Sequence, residues 1–391
     1  MQSFRTLGRL PREIWILAAV TLVNRMGTMA LPFLVLYLTR HLGFAAPVAG
    51  AVLGLYGVTA LFASLMGGRL SDRLGPRRVM VGSLLTSGLL LALFPLAKSL
   101  PAVMAMTAGW ALASDAFRPA ALTAIADLAP ADQRKPAFAL LRMAINLGMS
   151  VGPALGGFLA TVSFPSLFLV DGATALAAGV LLLASPWRET PAARDGRPRG
   201  LGGLADPLLM FFLVSSLPVC VVFFQHEAAM PLFMVRDLHL TESTYGLMFT
   251  LNTVLIVALE VPLNASMAEW PHRRTLVLGA LLCGAGFGGL LFAHGAAGVS
   301  ITVVIWTFGE MVLLPGMNAY VSEIAPPERR GDYMGLYTMA FSLSFAIGPW
   351  LGTTVLDQWG AAAVWSGCFA LASVSALLYS RLVVATSGSP G

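Results

Sequence analysis

The recurrence of long apolar segments is the feature that most constrains how this chain can fold. Of its 391 residues, 57% are hydrophobic and 11% are charged, whereas soluble domains carry about 25% charged residues. A helix of about 20 residues crosses a hydrocarbon layer of about 30 Å with its backbone hydrogen bonds satisfied internally. The sequence therefore predicts an all-α polytopic membrane protein.

Twelve segments have this character, and we expect each to form a transmembrane helix. Spans 1 to 12 cover residues 14–39, 48–70, 78–97, 101–128, 136–160, 165–184, 207–235, 243–267, 274–293, 299–324, 332–355 and 362–383. Residues 185–206 are rich in Pro, Gly and Arg and form the one long polar connection. We therefore predict three parts: an N-terminal six-helix bundle (1–184), a cytoplasmic linker (185–206) and a C-terminal six-helix bundle (207–391).

Basic residues set the predicted orientation, because Lys and Arg in short loops are retained on the cytoplasmic side. Of the 24 Lys and Arg residues, 18 lie in the loops or at the span ends of one side, three lie on the outer side, and three (Arg25, Arg118 and Arg142) lie deep within spans. We expect a multi-pass protein of the bacterial inner membrane with both termini in the cytoplasm. Span 1 contains Arg25 and is long for a signal peptide, so we expect it to be retained.

The two halves of the sequence resemble each other. Three pairs of segments align at one offset of 196 residues: 128–134 with 324–330, 152–153 with 348–349, and 77–78 with 273–274. Three matches at a single offset indicate a duplicated six-helix unit. Such a duplication allows two bundles to rock about a shared site.

Two motifs carry a resemblance to a known family. Residues 67–80 (GGRLSDRLGPRRVM) resemble the loop 2–3 signature of the major facilitator superfamily, and residues 148–159 (GMSVGPALGGFL) resemble the span 5 signature of its drug and proton antiporters. Ala139 stands where the longer form of that signature has Gly. Residues 223–233, 251–263 and 309–337 are further similar to bacterial multidrug-resistance-type members. The resemblance implies a twelve-helix transporter that works by alternating access.

The resemblance also implies a gating role for the loop between spans 2 and 3. Asp72 ends span 2 and Arg77 begins span 3, so each charge opposes the dipole of its own helix and requires a partner elsewhere. In the family this Asp faces span 11, near an acidic residue that ends span 4, here Asp127. The predicted gating latch consists of Gly68, Asp72, Arg73, Arg77, Arg78 and Asp127. Alternatively, the arginines serve membrane topology alone.

The equivalent loop of the second half lacks these features. Asn264, Ala268 and Pro271 replace Gly68, Asp72 and Gly75 there, so we expect only the arginines of a second latch to remain.

Span 5 has small residues on neighbouring faces, which allow close helix approach, and a proline that bends the helix. We predict packing, hinge or interhelical hydrogen-bonding roles for Arg142, Asn146, Gly148, Gly152, Pro153, Gly156 and Gly157.

Ionisable side chains inside spans are costly and therefore point to a transport path. We favour Glu310 for proton coupling because it lies in the middle of a span with no basic residue three or four positions away. Glu227 follows, and Asp115 and Glu260 complete the candidates. Asp115 lies three residues before Arg118, so these two can instead form a structural ion pair. Glu260 can alternatively pair with Arg142.

By the family resemblance, spans 1, 4, 7 and 10 line a central cavity. Adaptable and polar side chains on or near these spans suit loosely shaped ligands. The predicted substrate cavity contains Asn24, Arg25, Met29, Arg118, Phe223, Gln225, His226, Asn252 and Met311.

We expect a monomeric, proton-driven exporter of small amphiphilic molecules, without a cofactor and with the proton gradient as its energy source. The alternative is a proton-coupled symporter that imports an anionic or zwitterionic nutrient, such as a peptide, amino acid or organic acid, with Arg25 and Arg118 holding its carboxylate. A non-transporting receptor or a membrane enzyme is the third class of function considered. No nucleophile–base pair, metal-ligand cluster or phosphate loop in the sequence supports an enzyme. No basic domain supports nucleic-acid binding. The three cysteines all fall within spans, which predicts buried thiols without disulfides.

Overall fold

The computed structural model describes residues 10–130, 133–188, 202–326 and 329–382. Residues 189–201, most of the predicted linker, lie outside these ranges. Every regular element in the described ranges is helical, which confirms the predicted all-α class.

Eight α-helices lie in the first half of the chain. Span 1 contains α1 and α2 and ends in a π-helical turn, Tyr37–His41. In chain order the helices are α1 (Arg12–Met26), α2 (Ala30–Leu36), α3 (Ala46–Leu74), α4 (Pro76–Leu93), α5 (Leu100–Asp115), α6 (Phe117–Leu128), α7 (Arg134–Val162) and α8 (Phe164–Ala184).

Six α-helices follow in the second half. A 3₁₀ turn, Phe224–Glu227, and a π-helical turn, Phe233–Asp237, flank the short helix of span 7. The helices are α9 (Pro207–Phe223), α10 (Ala229–Leu232), α11 (Glu242–Ser266), α12 (His272–Gly289), α13 (Ala296–Ile324) and α14 (Arg330–Tyr379).

Ten helical segments in the described residues are long and apolar enough to cross a membrane, so the chain is a multi-pass membrane protein. The predicted count of twelve differs from this number for two reasons. Span 4 is divided at Ala116 into helices of 16 and 12 residues. Predicted span 11 and most of predicted span 12 fall within the 50 residues of α14, where Gly360 adopts a non-helical conformation with φ of 78°.

Three of the spans are interrupted, and a proline follows each interruption. Pro32, Pro119 and Pro231 lack an N–H group, so the carbonyl groups four residues earlier lose their helical partners. The interruptions lie at those positions, between α1 and α2, between α5 and α6, and between α9 and α10. Pro153 and Pro315, in contrast, lie inside continuous helices, so proline permits an interruption without imposing one.

The helix bounds repeat at the offset found in the sequence. Helix α4 (Pro76–Leu93) and helix α12 (His272–Gly289) are separated by 196 residues at both ends. The same offset relates the starts of α3 and α11, the two π-helical turns, and the ends of α6 and α13. The halves of the chain therefore share one local folding pattern.

Two compact units form the chain. The first comprises Met1–Arg197 and Thr241–Thr250, and the second comprises Pro198–Leu240 and Leu251–Gly391. In the first unit, side chains of α1, α4, α6, α7 and α8 form a buried core around Leu17, Met80 and Leu182. In the second unit, side chains of α9, α12, α13 and α14 form another core around Phe212, Leu276 and Tyr379. The three cysteines are buried and free.

Candidate functional site

Glu310 on α13 is held by a neutral hydrogen-bond donor from α11. The amide Nδ2 of Asn252 donates to Glu310 Oε2 at 2.8 Å and to Thr307 Oγ1 at 3.0 Å. Asn252 is 8% exposed, and Glu310 is partly buried. Glu260, two turns after Asn252 on α11, lies close enough to act electrostatically on Glu310. This carboxylate, fixed by a neutral amide and beside a second acidic group, can bind a proton or a cation.

Asp115, at the end of α5, has a partner that the sequence did not indicate. Tyr56 on α3 donates its hydroxyl to Asp115 Oδ2 at 2.8 Å. Arg118 is exposed and forms no hydrogen bond or ion pair within the described residues. The alternative of an Asp115–Arg118 ion pair is therefore not formed in the described residues, because the helix is interrupted at Ala116 between them. Arg25 and Arg118 still act electrostatically on the Asp115 carboxylate.

The two carboxylate sites are related by the repeat. Tyr56 and Asn252 are 196 residues apart, and each donates from the second span of its unit to a carboxylate in the fourth span. Their surroundings differ, because arginines act on Asp115 whereas Glu260 acts on Glu310. The sequence interpretation missed Tyr56, although alignment at the 196-residue offset places it opposite Asn252.

Glu227 lies at the interruption of span 7. Helix α9 ends at Phe223, and Ala228 has φ of −123° and ψ of −81°. The His226 Nδ1 atom lies 2.6 Å from the Phe223 carbonyl oxygen, and its Nε2 atom lies 3.6 Å from Glu227 Oε1. Gln225 donates to the Gly348 carbonyl oxygen at 2.8 Å and thereby joins the interruption to α14.

The interruption of span 1 is stabilised by an aspartate that sequence reasoning did not place in the site. Oδ2 of Asp171 on α8 accepts hydrogen bonds from Met29 N at 3.2 Å and Ala30 N at 3.0 Å. These two N–H groups begin α2, where no intrahelical acceptor is available. Asp171 is 5% exposed, so the contact is internal. Before the interruption, Arg25 has a buried Nε atom without a hydrogen-bond partner among the described residues.

The remaining predicted cavity residues differ in exposure. Met29 and Met311 are almost completely buried, at 0% and 1% exposure, and Phe223 and Gln225 are also buried. Asn24 is partly buried. Their role in lining a cavity stays a prediction.

Small residues on α7 allow close packing with span 1. An added Cβ at Gly148 would lie 2.4 Å from Cβ of Arg25, and one at Gly156 would lie 2.7 Å from Cβ of Met29. Gly152 lies between them and faces backbone carbonyls of span 1. Gly157, on the same helix, packs against the start of α11. The other residues predicted for span 5 differ in exposure: Pro153 is buried, Asn146 is partly buried and Arg142 is exposed.

The predicted gating latch is only partly connected. Asp72 is exposed and forms no ion pair within the described ranges, although it lies close enough to act electrostatically on Asp127. Arg77 donates to the carbonyl oxygens of Leu183 at 3.0 Å and Ser185 at 2.9 Å. Arg77 therefore caps the C-terminal end of α8, where a positive charge is favourable. Gly68 has open space beside it, and Arg73 and Arg78 are exposed.

The equivalent region of the second unit retains more than its arginines. His272 Nε2 lies 2.6 Å from Oε2 of Glu323, which occupies the position of Asp127 in the repeat. Arg274 stacks over Trp270 at 3.9 Å. Our expectation that only arginines remain there is therefore incomplete, because His272 supplies a partner that the first unit lacks.

Comparisons with known proteins agree with this architecture. The family described as the Major Facilitator Superfamily matches residues 17–225 and 212–387. The MFS-type transporter YqjV of Bacillus subtilis is 28% identical, covering 89% of this chain and 87% of that protein. The multidrug resistance protein MdtH of Aeromonas hydrophila is 26% identical over 88% of this chain and 86% of that protein.

A solved structure shares the fold at low sequence identity. The crystal structure of an auto-inhibited POT family peptide transporter has a TM-score of 0.80 and 17% identity, and the match covers 97% of this chain and 99% of that one. The chain belongs to the Major Facilitator Superfamily, whose members are membrane transporters and not enzymes.

Proposed function

We propose that this protein exports small amphiphilic molecules, neutral or cationic, in exchange for protons. It acts as a monomer in the bacterial inner membrane by alternating access, with both termini in the cytoplasm and no cofactor besides the proton gradient. Its similarity to a protein named as a multidrug resistance protein supports the direction and the class of substrate.

The proposed topology has twelve crossings in two six-helix bundles. Helices α5 and α6 together form the fourth crossing, since 16 and 12 residues are each too short to span the membrane comfortably. Helix α14 forms the last two crossings, which meet at Gly360. This division gives each bundle six crossings and places the connection at residues 185–206 in the cytoplasm.

The Asn252–Glu310 hydrogen bond is the observation that carries the proposal. An unprotonated Glu310 attracts a cationic group, and a protonated Glu310 does not. If the two facing states of the transporter differ in their affinity for this proton, proton entry shifts the population between them. The carboxylate thereby exchanges protons for substrate.

Proteoliposomes with an imposed pH gradient and an internal pH dye test this function. The panel contains lipophilic cations, amino acids, peptides, and sodium and potassium salts. Export predicts that a lipophilic cation releases protons in the direction opposite to its own movement, and that empty vesicles do not respond. Proton movement in the same direction as an amino acid or peptide contradicts export.

The importing symporter remains the second candidate because of Arg25. Its buried Nε atom lacks a hydrogen-bond partner in the described part of the chain, and buried guanidinium groups normally find one. A substrate carboxylate would satisfy this donor. Arg25→Lys should then weaken uptake of zwitterions and leave transport of lipophilic cations intact, whereas an exporter of cations predicts no such selectivity.

A further inference from the structure

His226 and Glu227 are consecutive residues at the interruption of span 7, and both are largely withdrawn from solvent. Their side chains are 12% and 15% exposed. The His226 ring packs 4.8 Å from the ring of Phe223 and 5.8 Å from that of Trp306 on α13. A permanent charge at this position would therefore be strongly unfavourable, because it would lose its solvation by water.

The hydrogen bond to Phe223 determines which imidazole nitrogen carries hydrogen. His226 Nδ1 lies 2.6 Å from the Phe223 carbonyl oxygen, and a carbonyl oxygen can only accept. Nδ1 is therefore the donor. In a neutral imidazole the other nitrogen, Nε2, then presents a lone pair. This lone pair is on the side of Glu227, since Nε2 lies 3.6 Å from Glu227 Oε1.

An ionised Glu227 would place two acceptors against each other. A carboxylate oxygen only accepts, and so does Nε2 in this tautomer. Two facing acceptors do not attract one another, and the 3.6 Å between Nε2 and Oε1 exceeds the length of a hydrogen bond. One proton placed between them converts the repulsive contact into an attractive one.

We propose that His226 and Glu227 form a single proton-binding site, separate from Glu310, in which one proton lies between Nε2 and Oε1. In the proton-loaded form, Glu227 is a neutral carboxylic acid that donates its O–H to Nε2 of a neutral imidazole. Two neutral groups cost less to bury than an ion pair. On release, the O–H bond breaks, its electron pair stays on Oε1 and the proton passes to water.

The surroundings of the pair identify which other titratable groups can influence it. Glu310 lies four residues after Trp306 on α13 and is the next carboxylate on that helix. From α14, Phe341 and Phe345 pack on Phe224, and Tyr337 packs on Phe341. The rings of Phe223, Phe224 and Trp306 that pack on His226 are uncharged.

Infrared difference spectroscopy on the full-length protein in lipid nanodiscs tests this site without any transport. A protonated carboxylic acid has a carbonyl stretch well separated from the bands of a carboxylate. We expect a pH titration of the wild type to show bands of this kind for Glu310 and Glu227, and Glu227→Gln to lack only the Glu227 band. In His226→Leu the band should remain but move in frequency, because the O–H group loses its acceptor.

Two matched variants complete the experiment. Glu310→Gln should leave the Glu227 band unchanged, because the proposal treats Glu310 as a separate site. His226→Gln keeps an amide acceptor and should move the band less than His226→Leu. All variants are compared only as monodisperse protein with wild-type helical content, and His226→Gln replaces His226→Leu if the latter fails this test.

Two results would overturn the proposal. The first is a titration spectrum of Glu227→Gln that equals the wild type. The second is a Glu227 band whose frequency and midpoint do not respond when His226 is replaced. Because the measurement needs no substrate or gradient, failure of proton-coupled export with these spectra intact would count against the proposed function alone.

Discussion

Tyr56 and Asn252 occupy the same position of the internal repeat, and each donates a 2.8 Å hydrogen bond to a carboxylate in the fourth span of its unit. The acceptors, Asp115 and Glu310, have opposite electrostatic surroundings. Duplication therefore produced two similar donor–carboxylate pairs, one beside arginines and one beside a glutamate. This difference supports our proposal that Glu310, rather than Asp115, binds and releases the coupled proton.

Asn252→Ala should reduce gradient-driven transport roughly tenfold or more, because hydrogen bonds to charged groups contribute about 1.5–3 kcal/mol. The pH profile of transport should also shift, since the amide contacts the carboxylate directly. Initial rates across a pH series measure both effects. Asn318→Ala is the matched control, because Asn318 is exposed and, among the described residues, forms a hydrogen bond only within its own helix. An unchanged pH profile in Asn252→Ala would contradict the assignment.

Tyr56→Phe should lower thermal stability, because it leaves the partly buried Asp115 carboxylate without its donor. The expected loss is about 1–3 kcal/mol, the usual cost of an unsatisfied buried polar group. Thermal unfolding in detergent, followed by circular dichroism, measures it. A Tyr56→Phe variant as stable as the wild type would contradict this prediction. In that case Arg25 and Arg118 would stabilise the Asp115 carboxylate without the Tyr56 hydroxyl.

Gly148→Ala should destabilise the first unit, because the new methyl group would lie 2.4 Å from Cβ of Arg25. Overpacking of this kind costs about 1–3 kcal/mol. Gly68→Ala is the control within a helix, since nothing lies within 4 Å of its added Cβ. That substitution should be neutral or stabilise by up to about 1 kcal/mol through helix propensity. Equal unfolding temperatures for both variants would contradict the close contact between α7 and span 1.

The apolar length of each span could be predicted from the sequence, and the interruptions could not. Predicted span 2 began at residue 48 and helix α3 begins at Ala46, because local hydropathy determines where a membrane helix can start. The interruption at Met29 depends on Asp171, which is 142 residues away in the chain. A proline three residues after the interruption is a usable signal, but Pro153 has the same chemistry inside a continuous helix.

Partners of charged residues were the least predictable part of the site. Arg77 was expected to serve a latch, which stays a prediction, and it donates to carbonyl groups at the end of α8, more than 100 residues away. Arg77 lies at the N-terminal end of its own helix, where the helix dipole disfavours a positive charge. The sequence therefore indicated that Arg77 needs a partner elsewhere, but it did not identify that partner. Asn252 and Glu310 were each singled out from sequence. Their contact follows only from the packing of α11 on α13.

Asp206 should make the stability of the second unit sensitive to acid. Burial opposes its ionisation, but hydrogen bonds from Tyr333 and from the N–H groups of Leu208 and Leu209 outweigh burial and lower the pKa of its carboxyl. Because the folded pKa lies below the ordinary value of about 3.9, the stabilisation is complete above about pH 4. It is lost as the pH falls towards the folded pKa. Unfolding temperatures between pH 5 and pH 3 should therefore decrease less in Tyr333→Phe than in the wild type, and identical decreases would contradict this role.

Glu310→Gln tests the central claim most directly, because it removes the titratable group and keeps its shape and its contact with Asn252. The measurement is substrate transport in proteoliposomes, with and without a pH gradient, beside Glu323→Gln as an exposed carboxylate control. We predict that Glu310→Gln still exchanges substrate passively and loses gradient-driven transport, while Glu323→Gln retains both. Gradient-driven transport by Glu310→Gln at the wild-type rate would contradict the account and would move proton coupling to another carboxylate.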